Sequence, residues 1–537
     1  MKNRIKNNIL NVFENHSSIF IFFLSAVTVL FIYPSLHKYT LLVSSFVALL
    51  YCAYILFGKN KKVRTALLFM PVIAVVFFYC FISLSSFYPK LFLPSKTPMI
   101  TLYSGLNYYN FLASSFSKMK LYMPIEPSEK LKSLDNPYDS EALNKNLDFR
   151  KFDYIMDLSY FNGRYYLYFG ITPVLTIYLP FLIITKYFIS DAAVTLIFGI
   201  LSFCVALLVL KKIILKIDKN KCEFLTETLS IMAVGLSSVV CYLITVARVY
   251  EAAIVCGLFF TLLSFLFIIL YVESVNQKKK NILLFISGLS IALAVGCRPF
   301  YAFAVFVQLY ILYGFIKKKV KLYIYYFIPL AVYAIILMAY NYMRFDSVFE
   351  FGGKYQLSII EMYNWEVPLK ELFSSIMKFI YYPPKYLSGF PYFSIDYVIV
   401  RAILYEQVIG LLFTVPFLIA LASIFLFFKD KNMQLWHKKY IAGLFIIGIF
   451  NLIVVSTVGS IYRYGADFSM YFIIPAVIMI FYLNFILEKK FKKILFQYVA
   501  ATFLLISIVF NFALIISASM NMKINSPELL YKLSRFF

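Results

Sequence analysis

Thirteen apolar runs divide this chain, at residues 18–35, 40–57, 66–86, 190–210, 225–246, 251–272, 282–296, 299–316, 322–342, 402–428, 440–458, 466–487 and 494–517. Runs of about 20 apolar residues match the length at which an α-helix crosses the hydrocarbon core of a bilayer. A membrane β-barrel would instead show short segments of alternating polarity, and none is visible. With 62% of its 537 residues hydrophobic and 14% charged, the chain lies far from the roughly 45–50% and 25% of soluble domains. The sequence therefore predicts an all-α, polytopic integral membrane protein of about 13 transmembrane helices, with two large outer loops.

The formal net charge of +25 would suit a nucleic-acid partner, but its distribution fits a membrane better. Lysine-rich clusters punctuate the apolar runs at 59–64, 211–212, 278–280, 317–319, 438–439 and 489–493, as expected of short cytoplasmic loops. The predicted inner loops with the N-terminal tail carry 27 basic and six acidic residues. The outer segments are balanced, with ten and eight in 87–167 and six and six in 344–401. No nucleic acid is implied. The basic N-terminus MKNRIKNN precedes an apolar run without a small-residue cleavage site, so it is read as an uncleaved first span with its N-terminus inside. The seven cysteines form no CxxC pair, and the three histidines (His16, His37, His437) lie outside the two large loops. No disulfide framework and no metal site is assigned.

Residues 168–188 are apolar enough to cross, yet parity opposes it. If they crossed, Lys211 and Lys212 would fall outside with the 87–167 loop. If they lie at the interface, every basic cluster falls inside. Pro173 and Pro180 interrupt the run as well. The expected organisation is then 1–86, a three-helix segment; 87–189, an outer loop with amphipathic (105–121) and interfacial helices; 190–343, central spans; 344–401, a second outer loop; and 402–537, the C-terminal spans and tail.

Arginine opposes the rule that lysine obeys. Of ten arginines only Arg4 and Arg64 are predicted inside, while Arg248, Arg298, Arg344 and Arg463 each stand at the outer end of a span. A cation at that depth usually faces a partner or a cavity, and a guanidinium grips phosphate through a planar fork. Snorkelling to lipid headgroups is the plainer explanation for any one of them. Of the outer carboxylates, Asp153 and Asp157 precede an Asn162-Gly163 turn signal, and Glu251 sits at the mouth of a span beside Arg248 and Tyr250. Asp157 could be a general base or could cap the following turn. Glu251 could bind a metal or an acceptor, or pair with an arginine.

Tyr108-Tyr109, Leu112-Ala113, the stretch Asn162-Gly163-Arg164-Tyr165-Tyr166 with Pro173, Lys211-Lys212, the segment Ala247 to Glu251, Gly296-Cys297-Arg298-Pro299, Asn341 to Phe345 and Arg463 to Phe468 together resemble the GT-C membrane glycosyltransferases, the class of the lipid A aminoarabinose transferases and protein O-mannosyltransferases. The similarity covers about 66–490, through short motifs. It implies a GT-C-like fold and transfer of a sugar from a polyprenyl-phosphate lipid to an acceptor on the outer face of a bacterial plasma membrane. Asp157, in preference to Asp153, is expected to serve as the catalytic base in place of an early acid that this chain lacks, with Glu251 assisting, and substrate is expected to be bound by Arg248, Tyr250, Arg298, Arg344, Arg463, Tyr165 and Tyr166. The cofactor stays unassigned, with a divalent cation left open. One departure stands out. The family carries an acidic residue early in its first outer loop, where this chain has Tyr103-Ser104-Gly105-Leu106, and Glu14 is the only carboxylate before Glu126. Two other readings remain: a lipid or glycan transporter, although no internal repeat is visible, and a membrane scaffold, which leaves the outer arginines unexplained.

The parity argument is tested at position 216. A thiol-reactive, membrane-impermeant label on Lys216→Cys should react only from the cytoplasmic side. Reaction from outside would reverse the map upstream of it.

Overall fold

A computed structural model describes residues 18–58, 60–87, 94–97, 100–101, 105–217, 223–316, 321–358, 367–400, 404–518, 522–523 and 526–536. Tyr103 and Ser104 of the early loop position, Arg4, His16, Lys59, Lys317 to Lys319 and Arg401 lie outside these.

Among the described residues, nine helices are long and apolar enough to cross a membrane: Pro34–Phe57, Lys61–Ser86, Asp191–Ile217, Phe224–Val246, Val249–Glu273, Leu322–Phe345, Leu435–Val458, Ser469–Ile486 and Lys490–Ala518. Shorter apolar helices run at Ser18–Ile32, Pro299–Phe315 and Pro416–Lys429. Helix Gln277–Val295 opens with three lysines that make it more polar at one end. Every expected apolar run thus contains a helix. The chain is a helical, polytopic integral membrane protein. Helices 224–246, 249–273, 469–486 and 490–518 are buried over most of their length, because they are apolar all round and packed on all sides. The outer helices keep apolar faces exposed, as in Phe23, Phe31, Leu49, Phe77 and Ile335. Such faces suit lipid, where no water has to be ordered around them.

The two segments read as outer loops carry most of the departures from a purely α fold. Four two-stranded antiparallel sheets occur among the described residues. In one, Leu158–Phe161 pairs with Arg164–Leu167 across Asn162 (φ 47°) and Gly163 (φ 72°). A two-residue loop with both residues left-handed is what an Asn-Gly pair supplies at least cost. In another, Asp396–Val400 pairs with Leu404–Val408. The apolar run expected to become helical at 402 is therefore strand as far as Val408, and helix starts only after Gly410.

The helix expected to lie on the membrane within 105–121 is instead a nine-residue helix, Tyr108–Phe116, with seven buried residues packed inside the protein. Its polar side is answered by protein: Asn110 Nδ2 donates to the Ile189 carbonyl at 2.7 Å, and Tyr108 Oη to that of Met156 at 2.6 Å. The ambiguous segment 168–188 forms a π turn of five residues, Val174–Tyr178, and a seven-residue helix, Leu179–Thr185. Together they rise about 18 Å, short of the roughly 30 Å hydrocarbon core.

Chain crossings at the end of the bundle are tight. A Cβ on Gly170 would stand 2.1 Å from the Gly296 carbonyl oxygen, so only glycine permits these backbones to touch. Thr172 completes the seam through its N–H to Gly296 O at 3.2 Å and its hydroxyl to Tyr333 Oη at 2.6 Å. This seam holds the 168–172 strip against the end of helix 277–295 and the middle of helix 321–345.

Candidate functional site

Beside that seam lies a cavity of about 470 Å³. Asp157 and all four span-end arginines (Arg248, Arg298, Arg344, Arg463) line it, although they come from five separate parts of the chain.

Asp157 follows the Tyr154-Ile155-Met156 turn and enters the first strand of the Asn-Gly hairpin with φ 63°. Aspartate is among the few residues that visit this left-handed region readily. The conformation is held by the Asp157 N–H donating to Leu357 O at 2.8 Å. Its carboxylate accepts from the Tyr250 hydroxyl and, at 3.0 Å, from Gln356 Nε2. No helix follows it, so it does not act as a cap. Burial pushes its carboxyl above the ordinary carboxylate range, while the bonds from Tyr250 and Gln356 and the Arg463 charge pull the other way. Asp153 points elsewhere. Its carboxylate binds Lys130 Nζ at 2.9 Å and the Asp148 N–H at 3.1 Å, which hold it below the usual range, and it is not a cavity residue.

The arginines divide by partner. Arg298 Nη1 donates to Asp467 Oδ2, and the Tyr301 hydroxyl takes the other oxygen at 2.7 Å. Arg463 forms a two-pronged pair with Glu406, Nη2 to Oε1 at 3.2 Å and Nη1 to Oε2 at 3.3 Å. Its buried Nε has no acceptor among the described residues. The Tyr464 ring lies between these two cations, 4.9 Å from Arg298 and 5.3 Å from Arg463, and Tyr250 offers its ring to Arg463 at 5.1 Å.

Arg344 is different. It is 5% exposed and lies over the Tyr340 ring at 3.8 Å. Its nitrogens donate to Leu167 O at 2.7 Å and Asn341 Oδ1 at 2.8 Å, both neutral. Arg248 is exposed in the cavity wall. Among the described residues, neither has a carboxylate within 4.0 Å. The cavity therefore presents two pre-paired guanidiniums and two without a counter-ion.

Glu251 is 1% exposed and does not line the cavity. Its Oε2 accepts the Arg248 N–H at 2.9 Å, fixing the first turn of helix 249–273. Tyr165 and Tyr166 are also packing residues. The Tyr165 hydroxyl meets the Ile155 N–H at 3.3 Å, and the Tyr166 ring sits 5.3 Å from Phe345. Nothing in the sequence sets Gln356 and Glu406 apart, whereas Tyr464 and Asp467 stand in the segment Arg463 to Phe468 that carries the resemblance. Among the described residues, no three His, Cys, Asp or Glu side chains gather as a metal site.

No protein-family model and no curated protein matches this sequence. Among solved structures, the chain is similar to the crystal structure of the Archaeoglobus fulgidus oligosaccharyltransferase in the apo form, at 11% identity and a TM-score of 0.40, over 83% of this chain and 56% of that chain. The chain thus spans just over half that protein's length.

The two ion pairs differ in burial, which predicts different costs. Asp467 is fully buried, and removing it strands Arg298 in a desolvated site. Asp467→Ala should lower stability by about 3–5 kcal/mol. Glu406 keeps 21% exposure, so water can reach the vacated place and Glu406→Ala should cost less, about 1–3 kcal/mol. Thermal unfolding in detergent should rank the variants in that order, and equal losses would contradict the assignment.

Proposed function

We propose that this protein is a membrane glycosyltransferase that moves a sugar from a polyprenyl-phosphate lipid to a hydroxyl acceptor on the outer face of the membrane. The observation that carries the reading is the meeting of one half-buried carboxylate, Asp157, with two guanidiniums that have no carboxylate partner among the described residues, the exposed Arg248 and the buried Arg344, in one cavity at the end of an apolar bundle. A buried cation without an anion is costly, and a phosphate on a lipid carrier would complete it.

In this mechanism the acceptor hydroxyl oxygen attacks the anomeric carbon while its proton passes to Asp157. The bond from the anomeric carbon to the phosphate oxygen breaks, and its electron pair leaves on the polyprenyl phosphate. Arg248 and Arg344 stabilise the charge that grows on that phosphate, where fixed donors in a site shielded from water act most strongly. Tyr250 and Gln356 aim the carboxylate of Asp157, and Arg298 and Arg463, anchored by Asp467 and Glu406, shape the wall. The carboxylate supplied early in the first outer loop of the GT-C enzymes is thereby replaced by one from its late part. Asp153 and Glu251 are left with structural roles, and a divalent cation is not required by this scheme.

Asp157→Asn keeps the shape and one acceptor but cannot take the proton. Transfer should fall by about 10²–10⁴. Because its folded pKa is raised, wild-type kcat/KM should drop as pH falls through a value above the ordinary carboxylate range, and the variant should lose that limb. Wild-type rates in the variant would make Asp157 structural. A wild-type protein that transfers no sugar from any polyprenyl phosphate, yet binds such lipids, would favour the transporter reading.

A further inference from the structure

Helix Leu369–Ile380 has three sectors rather than two. At about 100° per residue, Leu372, Ile376 and Phe379 share the flank turned to the protein, where the Phe379 ring meets Phe468 at 5.2 Å. Beside that flank lies an apolar sector in the open: Leu369 is 83% exposed, Phe373 63% and Met377 39%. Beyond it stands a polar sector of Lys370, Glu371 and Ser374, also exposed. A helix in water against a protein needs only two faces, one buried and one polar. A third, apolar and uncovered, calls for a third medium.

The neighbouring element identifies that medium. The helix packs against membrane helix Leu435–Val458. That helix exposes a stripe of its own, Ile446, Ile449 and Ile453, of the kind a bilayer covers. We propose that helix 369–380 is a membrane-surface foot: it lies in the interface of the leaflet on the cavity side, with Leu369, Phe373 and Met377 among the upper acyl chains, Lys370 and Glu371 in the headgroup layer, and Phe379 clamped to the bundle. Interfacial helices take this arrangement, with the apolar face sunk about 5–10 Å. The foot leads into the hairpins that carry Glu406, so its depth sets the height of that wall of the cavity above the lipid. The proposal rests on this surface alone and stands apart from the chemistry assigned to Asp157.

Full-length Phe373→Cys and Ser374→Cys, each labelled with the fluorophore NBD in phosphatidylcholine proteoliposomes, test it. The native cysteines are common to both, so the difference between them reports the new site. The label at 373 should emit blue-shifted and be quenched by lipids brominated high on the acyl chain, while that at 374 should emit as in water. Two water-like emissions would overturn the proposal. So would a blue shift at 373 without bromolipid quenching, which would mean that protein covers this face.

Discussion

A guanidinium withdrawn from water must be answered by an anion, a carbonyl or an aromatic face, and the mouth of this helix bundle is organised around three of them, with a fourth, Arg248, exposed in the cavity wall. Asp467 and Glu406 answer Arg298 and Arg463. Carbonyl groups and the Tyr340 ring hold Arg344 in place without neutralising it, and Arg248 opens into the cavity. Pairing fixes geometry and neutralises charge; among the described residues Arg248 and Arg344 keep theirs. That division gives the site a direction: rigid wall on the Arg298–Tyr464–Arg463 side, electrostatic demand on the Arg248 and Arg344 side.

The scaffold explains why these groups meet. The arginines stand where spans end, so the bundle gathers them at one level, and the bundle's cross-section brings distant spans together. Asp157 arrives differently, through a hairpin whose Asn-Gly turn folds the loop back on itself and whose first residue is locked by the backbone of Leu357. The contact of Gly170 with Gly296 then seats the following strip against the bundle ends. A side chain on Gly170 would run into the Gly296 and Cys297 carbonyls, and one on Gly296 into Tyr333 and Thr172, so either would push the strip off the bundle.

Much of this was legible in the sequence because the bilayer imposes a simple code. Apolar length marks helices, lysine marks the inner side, and arginine at the opposite ends breaks the pattern in a way that chemistry must explain. The convergence of Arg248, Arg298, Arg344 and Arg463 with Asp157 follows from that anomaly. What escaped the sequence was set by tertiary geometry. Glu406 lies in an apolar run that reads as the start of a span but pairs as a strand, since Leu404–Val408 finds a partner in Asp396–Val400. Gln356 belongs to a polar loop with no periodicity. Asp153 and Asp157 are four residues apart, and only the nearness of Asp157 to the Asn-Gly turn favours it in sequence; the left-handed turn at Asp157 sends it inward while Lys130 holds Asp153 elsewhere. Helix 108–116 carries apolar and aromatic residues at helical spacing, which suits a membrane surface, but Tyr108, Tyr109, Asn110 and Ser115 are buried inside the protein, with Tyr108, Asn110 and Ser115 bonded there.

We propose that this cavity receives a phosphate carried on a lipid, next to a carboxylate that takes a proton. The most direct measurement is a cryo-electron microscopy map of the full chain in nanodiscs saturated with a polyprenyl phosphate. The account predicts phosphate density within hydrogen-bond distance of the Arg344 and Arg248 guanidiniums, on the side of the cavity facing Asp157, with the Arg298–Asp467 and Arg463–Glu406 pairs unbroken. Phosphate density elsewhere on the protein, with Arg344 still held only by Leu167 and Asn341, would contradict it.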